Sequence, residues 1–158
     1  MRIAEKNAYY EKERASFALT LKNQLSGSMF DAGKIMYVVN LDQKMQFEVL
    51  SKDGAEKVKV KYLIHKAAGA EKFFLRYYSV ERGGHTPLDK HAGEHEVFVM
   101  KGRGCAIGSN EECDLRPGDA IFIKSNEVHQ FINTGSEPLE FLCVRGADEL
   151  YETEKATS

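Results

Sequence analysis

The chain has 158 residues, of which 42% are hydrophobic and 29% are charged, and its formal net charge is −2. This length suits one domain with a short extension, and the composition argues against wholesale disorder. The lack of a basic excess argues against nucleic-acid binding by phosphate neutralisation. The cysteines, Cys105, Cys113 and Cys143, form no C-x-x-C pair. A disulfide framework and a four-cysteine zinc site are therefore both disfavoured, and a reduced, cytoplasmic setting is expected.

Residues 1–28 predict an amphipathic α-helical extension that ends at a Ser-Gly-Ser turn. Tyr10, Phe17, Leu21 and Leu25 recur at helical spacing, and charged residues fill the other side. Such a helix packs on its own domain or docks on a second subunit. No apolar run approaches the roughly 18 residues that a membrane span requires, so no membrane association is expected. Residues 147–158 predict a frayed acidic tail.

From about residue 33 the hydrophobic pattern changes from helical to alternating. Strand-like segments separated by glycine-containing turns follow at 34–40, 46–50, 57–64, 72–80, 95–100, 119–123, 129–133 and 139–145. Many short strands with regular turns indicate an all-β sandwich or barrel, here over residues 29–146. Lys57, Lys59 and Lys61 share one face of a predicted strand, and we interpret them as a solvated or edge-protecting row.

Chemistry-bearing side chains concentrate in residues 83–104 and 118–133. Asp89 and His91 stand two positions apart, which places both side chains on one face of an extended segment. His95 can return to the same point after a glycine break, and closure of a barrel can bring His129 opposite. Three imidazoles and one carboxylate suit a divalent transition metal ion such as Mn, Fe, Co, Ni, Cu or Zn.

Two alternatives to this ligand set stay open. Glu96 is the carboxylate ligand if a longer spacing applies, but it lies on the opposite strand face from His95, so both serve only if a bulge intervenes. Asp89 can instead pair with Lys90 or Arg103, which leaves a three-histidine site. Ordinary structural or pocket-rim roles are expected for the remaining histidines, His65 and His85.

The spacing in residues 83–104 resembles the first motif of the cupin superfamily. In that motif a glycine is followed after five residues by H-x-H, after three or four more by a glutamate, and after six more by a glycine. Gly83, Asp89, His91, His95 and Gly102 reproduce this spacing. The sequence departs from the motif at two of these positions, because Asp89 stands for the first histidine and His95 for the glutamate.

The second segment resembles the second cupin motif, in which a glycine precedes P-x-G, a histidine and an asparagine at fixed distances. Gly118, His129 and Asn133 stand at the matching positions. Lys124 and Asn126 replace the proline and glycine, which changes the stiffness of the turn but removes no ligand. Two motifs in the correct order make the resemblance specific, and it extends over about residues 60–146.

The resemblance implies a double-stranded β-helix, or jelly-roll barrel, with one divalent transition metal ion per chain. The implied metal ligands are Asp89, His91, His95 and His129. The strand before the first motif would line the substrate cavity with Arg76 and Tyr78, the two candidate catalytic residues. Arg76 can hold a carboxylate or an enolate by two hydrogen bonds, and Tyr78 can assist proton transfer. Cys143 on the last strand is favoured as a small buried apolar residue over a substrate-contacting thiol.

These features predict a metal-dependent enzyme, specifically an oxygen-using, dioxygenase-like oxidoreductase acting on a small organic substrate. A metal-dependent isomerase or lyase and a non-catalytic small-ligand or metal-binding cupin are the alternatives, since the fold does not decide the function. A homodimer is expected from the uncovered barrel edge and the amphipathic helix, and the resemblance to the family also implies one. The N-terminal 25 residues hold too few helices for a helix-turn-helix.

Overall fold

The computed structural model describes residues 36–42, 48–49 and 54–146, so the predicted N-terminal helix and acidic tail lie outside the described residues. The described residues from 39 onward form one compact unit, and those at 36–38 belong to a separate one. The described residues contain these strands: β1 Glu48–Val49, β2 Glu56–Ile64, β3 Phe73–His85, β4 His95–Lys101, β5 Gly104–Ile107, β6 Glu112–Leu115, β7 Ala120–Ile123, β8 Gln130–Ile132 and β9 Leu139–Gly146. A 3₁₀ turn, Lys66–Ala68, lies between β2 and β3. No helix in these ranges is long and apolar enough to span a membrane.

The strands form one curled antiparallel sheet in the order β6-β5-β8-β3-β9-β4-β7, with β2 paired to β3 and β1 paired to β2. The long strand β3 pairs with β2, with β9 and, at His85, with β8. Two glycines lie on β3 between its last pair with β9, at Val80, and its pair with β8, at His85. Gly83 has a φ of +69°, and a Cβ added at Gly84 would lie 2.6 Å from the Glu56 carbonyl oxygen. Only glycine fits this close approach without strain. The prediction of an all-β jelly-roll barrel is confirmed.

The inner face of the sheet carries the hydrophobic core. Side chains on β4 alternate, so that Val97 and Val99 are buried while Phe98 between them is exposed. Tyr78 of β3 stacks on Phe141 of β9, with ring centroids 5.0 Å apart. Burying a large apolar side chain contributes about 1.5–3 kcal/mol, so this face stabilises the barrel. The same face carries polar side chains toward one end, and these form the site described below.

Three sequence-based expectations about the fold were wrong in detail. A strand was expected at 34–40, and residues 36–40, the part of it that the structure describes, form no regular element. Strands β5 and β6 were not anticipated, because their four-residue segments carry little alternation between apolar and polar side chains. Lys61 is buried rather than solvated, and its Nζ donates a hydrogen bond of 2.6 Å to the Leu41 carbonyl oxygen. A partner for its ammonium group makes that burial tolerable.

Candidate metal centre

Three histidines from two distant parts of the sequence meet at one point. His91 lies in the loop before β4, His95 is the first residue of β4, and His129 immediately precedes β8. One ring nitrogen from each of them lies within 4.8 Å of the others. The ring centroids are 4.7–5.1 Å apart. This is the spacing expected of imidazoles grouped around a single ion with metal–nitrogen distances of about 2.1 Å.

Backbone pairing between the two loops holds the histidines together. Asp89 and His129 form an isolated antiparallel bridge, in which each backbone N–H donates to the other's carbonyl oxygen at 3.0 and 2.9 Å. The Asn126 N–H donates to the His91 carbonyl oxygen at 2.7 Å. Asn126 has a φ of +62°, a left-handed conformation that asparagine tolerates better than most residues. The motif-two turn thus places His129 opposite His91 without a proline.

The orientation of the His129 ring is set by a backbone acceptor. Its Nδ1 lies 2.9 Å from the Glu127 carbonyl oxygen. A carbonyl oxygen only accepts hydrogen bonds, so the His129 proton is on Nδ1 and the Nε2 lone pair is available to a metal. This is the usual arrangement of a metal-ligating histidine, whose second nitrogen is held by a neighbouring acceptor.

His95 is the most enclosed of the three histidines, with 5% of its surface exposed. Burial, and then the positive charge of Arg76 and the neighbouring imidazoles of His129 and His91, lower the pKa of His95 to about 3. A low-dielectric environment and nearby positive charge both disfavour the imidazolium form. His95 is therefore neutral near pH 7, as a metal ligand must be.

The two carboxylates considered in the sequence do not join the histidines. Asp89 is half-buried beside the centre, and its Oδ1 accepts a hydrogen bond of 3.0 Å from the backbone N–H of Lys90. Among the described residues, the group of ligand atoms within 4.8 Å holds histidines alone. Glu96 is exposed and faces away from the buried His95. The structure thus brings together the three-histidine set, and the four-ligand set with Asp89 stays a prediction.

The predicted catalytic pair lies on β3 beside this centre. Arg76 and Tyr78 are both buried on the inner face, and the guanidinium Cζ lies 5.2 Å from the centroid of the Tyr78 ring. Arg76 Nη2 is 3.3 Å from His95 Nδ1 and 3.1 Å from Cys143 Sγ. Burial lowers the pKa of Arg76, but Tyr78 and Cys143 outweigh burial and raise it above its ordinary value. Arg76 is therefore a permanently charged group next to the histidines.

Cys143 has a larger part in this cluster than a sequence reading suggests. It is buried, as expected of a small strand residue, but its Sγ lies 3.2 Å from His95 Nδ1 as well as close to Arg76. The contact exists because β9 lies between β3 and β4, pairing Cys143 with Arg76 on one side and with Val97 on the other. The register of the paired strands places Cys143 beside Arg76 and His95. The spacing of these residues along the chain does not predict this contact.

The donor set fits a divalent transition metal ion. The neutral His95 and the oriented His129 each offer one nitrogen, and the third comes from His91. Imidazole nitrogens suit Zn, Cu, Fe and Ni, and a three-imidazole set leaves coordination positions open to water or substrate. These three histidines are the residues that would hold such an ion.

Comparisons with known proteins agree with this architecture. The family model described as a cupin domain matches residues 76–145. A solved cupin 2 domain-containing protein from Halorhodospira halophila is 32% identical, with a TM-score of 0.53, and the match covers 59% of this chain and 73% of that one. The chain belongs to the cupin family. The matched residues run from β3 to β9 of this cupin and include all three histidines, Arg76 and Cys143.

Two further relatives carry functional names. The polyketide cyclase RemF from Streptomyces resistomycificus is 28% identical, with a TM-score of 0.65, and the match covers 70% of this cupin and 80% of that chain. The 1-methylthio-D-xylulose 5-phosphate methylsulfurylase from Rhodospirillum rubrum is 38% identical over 74 residues, which are 47% of each protein. This cupin thus spans about half the length of the curated relatives it matches.

Proposed function

We propose that this cupin is a metal-dependent enzyme that binds a small anionic organic substrate beside the three-histidine centre. The observation that carries the proposal is the Arg76 guanidinium, which is 6% exposed and lies 3.3 Å from His95. No carboxylate among the described residues forms an ion pair with Arg76, and its buried Nε has no hydrogen-bond partner. A buried charge without a counter-ion is costly, so an anionic ligand stabilises it.

The chemistry of the guanidinium indicates the class of substrate. Its fixed fork of N–H donors matches a carboxylate, a phosphate or an enolate. Nη2 lies 3.1 Å from Cys143 Sγ and 3.3 Å from His95 Nδ1, while Nε has no hydrogen-bond partner among the described residues. A divalent ion on the adjacent histidines would add positive charge to the same enclosed region. An anion that also offers an oxygen to the ion would satisfy both groups.

Tyr78 is suited to donating a proton rather than to accepting one. Burial raises the pKa of Tyr78 above its ordinary value, although the nearby Arg76 charge opposes this shift. The hydroxyl therefore stays protonated near neutral pH. Tyr78 and Arg76 share the inner face of β3, so the phenol can hydrogen-bond to a substrate that is held by the guanidinium.

Two reaction classes use this arrangement. When bound, the metal ion would polarise a substrate oxygen as a Lewis acid and, if redox-active, would exchange electrons. Isomerase or lyase chemistry is the better supported class, because Arg76 beside the centre can stabilise an enolate. Neither of these functionally named relatives, a methylsulfurylase and a cyclase, is named as an oxygenase. The oxygen-using oxidoreductase is the second candidate, because a three-imidazole centre leaves positions open to oxygen.

The deciding experiment uses the full chain loaded separately with Mn²⁺, Fe²⁺ and Zn²⁺. Oxygen uptake is recorded with a panel of diketones and phenols, and NMR follows sugar phosphates and hydroxy acids under nitrogen. Turnover without oxygen uptake supports isomerase or lyase chemistry, and oxygen uptake that depends on substrate supports the oxidoreductase. Binding without turnover on either panel would favour the non-catalytic ligand-binding alternative and contradict the proposal.

We also propose that two copies of this cupin associate. β7 ends the strand order of the described sheet and carries Phe122, which is 56% exposed, while the neighbouring strand β4 carries Phe98, which is 48% exposed. Apolar side chains at an open sheet edge favour pairing with a second chain. Light scattering on the full chain should give twice the 17.8 kDa monomer mass. A monomer at micromolar concentration would contradict this.

A further inference from the structure

A continuous chain of hydrogen-bond contacts runs through the histidine centre to Cys143. The backbone N–H of Gly93 donates to His91 Nδ1 at 3.2 Å. His91 Nε2 lies 2.8 Å from His95 Nε2, and His95 Nδ1 lies 3.2 Å from Cys143 Sγ. Each link needs one donor and one acceptor, so the proton positions can be worked out from one end of the chain.

The Gly93 contact decides the first link. A backbone N–H can only donate, so His91 Nδ1 accepts and the His91 proton is on Nε2. His91 Nε2–H then donates across the 2.8 Å contact, and His95 Nε2 is the acceptor. If His91 carried a second proton, its Nε2 would still be a donor and His95 Nε2 would still accept.

The second link follows from the first. A neutral His95 that accepts at Nε2 carries its proton on Nδ1. Among the residues that the structure describes, two groups lie near Nδ1, namely Arg76 Nη2 at 3.3 Å and Cys143 Sγ at 3.2 Å. A guanidinium nitrogen has no acceptor capacity, so the sulfur alone can accept the Nδ1 proton. The thiol itself donates to a different acceptor, the Val144 carbonyl oxygen, which lies 3.8 Å from Sγ.

The other tautomer of His95, with its proton on Nε2, is incompatible with the contact between His91 and His95. If Arg76 Nη2 donated to His95 Nδ1, the His95 proton would be on Nε2. Two N–H groups would then face each other across 2.8 Å, and neither could accept. Arg76 Nη2 instead donates to Cys143 Sγ at 3.1 Å, which places two donors on one sulfur.

We propose that Cys143 is a positioning residue that holds the proton of His95 on Nδ1, so that the Nε2 lone pair is directed at the metal centre, with Arg76 fixing the sulfur in place. In this cupin the thiol takes the part that a carboxylate or carbonyl oxygen plays beside other metal-ligating histidines. The consequence for metal affinity rests on the proposed metal centre, whereas the proton position does not, because it is a property of the metal-free chain.

The proton position is tested first, in the full chain without metal. Long-range ¹H–¹⁵N spectra separate protonated from unprotonated imidazole nitrogens, and a His95→Asn sample assigns the His95 signals by their loss. We expect a protonated Nδ1 and an unprotonated Nε2 at pH 7.5. The reverse pattern, or equal shifts for the two nitrogens, would overturn the proposal.

Two Cys143 variants then test the consequence for metal binding. Cys143→Ser keeps an acceptor beside Nδ1, and Cys143→Val removes it while keeping a small buried side chain. In competition titrations with Zn²⁺ we expect Cys143→Val to bind about 10–100-fold more weakly and Cys143→Ser to stay close to the parent. Equal affinities for the two variants would overturn the proposal. Failure of the parent to bind Zn²⁺ would contradict the proposed function instead, and the NMR result would still decide the proton position.

Discussion

The Nε2 atoms of His91 and His95 lie 2.8 Å apart, although His91 belongs to a loop and His95 begins strand β4. Between them the Gly93 N–H donates to His91 Nδ1 at 3.2 Å and so fixes the orientation of the His91 ring. In the metal-free chain His91 Nε2–H donates to His95 Nε2 across this distance, and an ion held by both rings would displace that proton, because each ligating nitrogen needs a free lone pair.

Asp89 distinguishes a three-histidine site from the four-ligand site that the family spacing implies. The carboxylate Oδ1 accepts from the Lys90 backbone N–H, and the described ligand cluster holds histidines alone. We therefore expect Asp89→Ala to retain most of its bound metal in elemental analysis, with His129→Ala as the matched ligand-loss control. If Asp89→Ala loses as much metal as His129→Ala, the carboxylate is a ligand and the four-ligand prediction is correct.

Removing the charge of Arg76 should weaken binding of anions at the metal centre. Its Nε is buried and has no hydrogen-bond partner in the described part of the chain, and a charge-assisted hydrogen bond is worth about 1.5–3 kcal/mol. Calorimetric titration of Zn²⁺-loaded protein with oxalate, a small chelating anion, should show Arg76→Met binding about 10–100-fold more weakly than the parent. Arg76→Lys, which keeps the charge but loses the fork, should fall between the two. Oxalate affinity equal to that of the parent in Arg76→Met would contradict the assigned role.

The stability of the metal-free chain should fall as the pH is lowered through the titration range of His95. Its pKa is lowered from 6.5 to about 3 in the folded state, first by burial and then by Arg76. Between these values the unfolded chain takes up a proton that the folded chain does not, so acid favours unfolding. One such proton changes the free energy of unfolding by at most about 1.4 kcal/mol per pH unit.

Urea unfolding at pH 7.5, 5.5 and 4.5 measures this effect, with His95→Gln as the control that lacks the group. The parent should lose more stability than the control as the pH falls, since every other titrating group is common to both. Identical pH profiles for the two proteins would show that His95 is not held neutral by the fold.

Asn133, the asparagine of the second motif, is predicted to act in stability and not in metal binding. It is 2% exposed, and its Nδ2 donates to the carbonyl oxygens of Val80 and Glu137 at 2.7 and 2.8 Å. Asn133→Ala leaves the buried Val80 carbonyl oxygen without this donor, also removes the hydrogen bond to Glu137, and should cost about 1–3 kcal/mol in urea unfolding. The exposed Asn110→Ala should change stability by less than about 0.5 kcal/mol. A loss of metal without a loss of stability in Asn133→Ala would contradict this assignment.

The sequence predicts the fold and the histidine cluster well, because the strand pattern and the intervals inside each of the two motifs can be read locally, and the order of the two motifs indicates that they meet. Alternating apolar residues place most strands of the sheet, and the motif intervals single out His91, His95 and His129. The side-chain neighbours of those histidines depend on strand register, which spacing does not encode. Cys143 reaches His95 only because β9 pairs with both β3 and β4.

The backbone groups that orient the histidine rings could not be predicted from the sequence either. The Glu127 carbonyl oxygen orients His129 and the Gly93 N–H orients His91, and neither depends on a side chain. The burial of Lys61 could not be predicted for a similar reason, since a lysine in an alternating strand is expected to be solvated. Its burial depends on the Leu41 carbonyl oxygen, which comes from a segment 20 residues earlier in the chain.

The most direct test of the central claim is the metal content of the purified full chain, measured by elemental analysis after loading with Zn²⁺ and exhaustive dialysis. The account predicts one ion per chain in the parent and in His85→Ala, whose histidine lies outside the cluster, and near-complete loss in His91→Ala and His129→Ala. A parent without bound metal, or His91→Ala and His129→Ala with one ion per chain, would contradict the three-histidine centre.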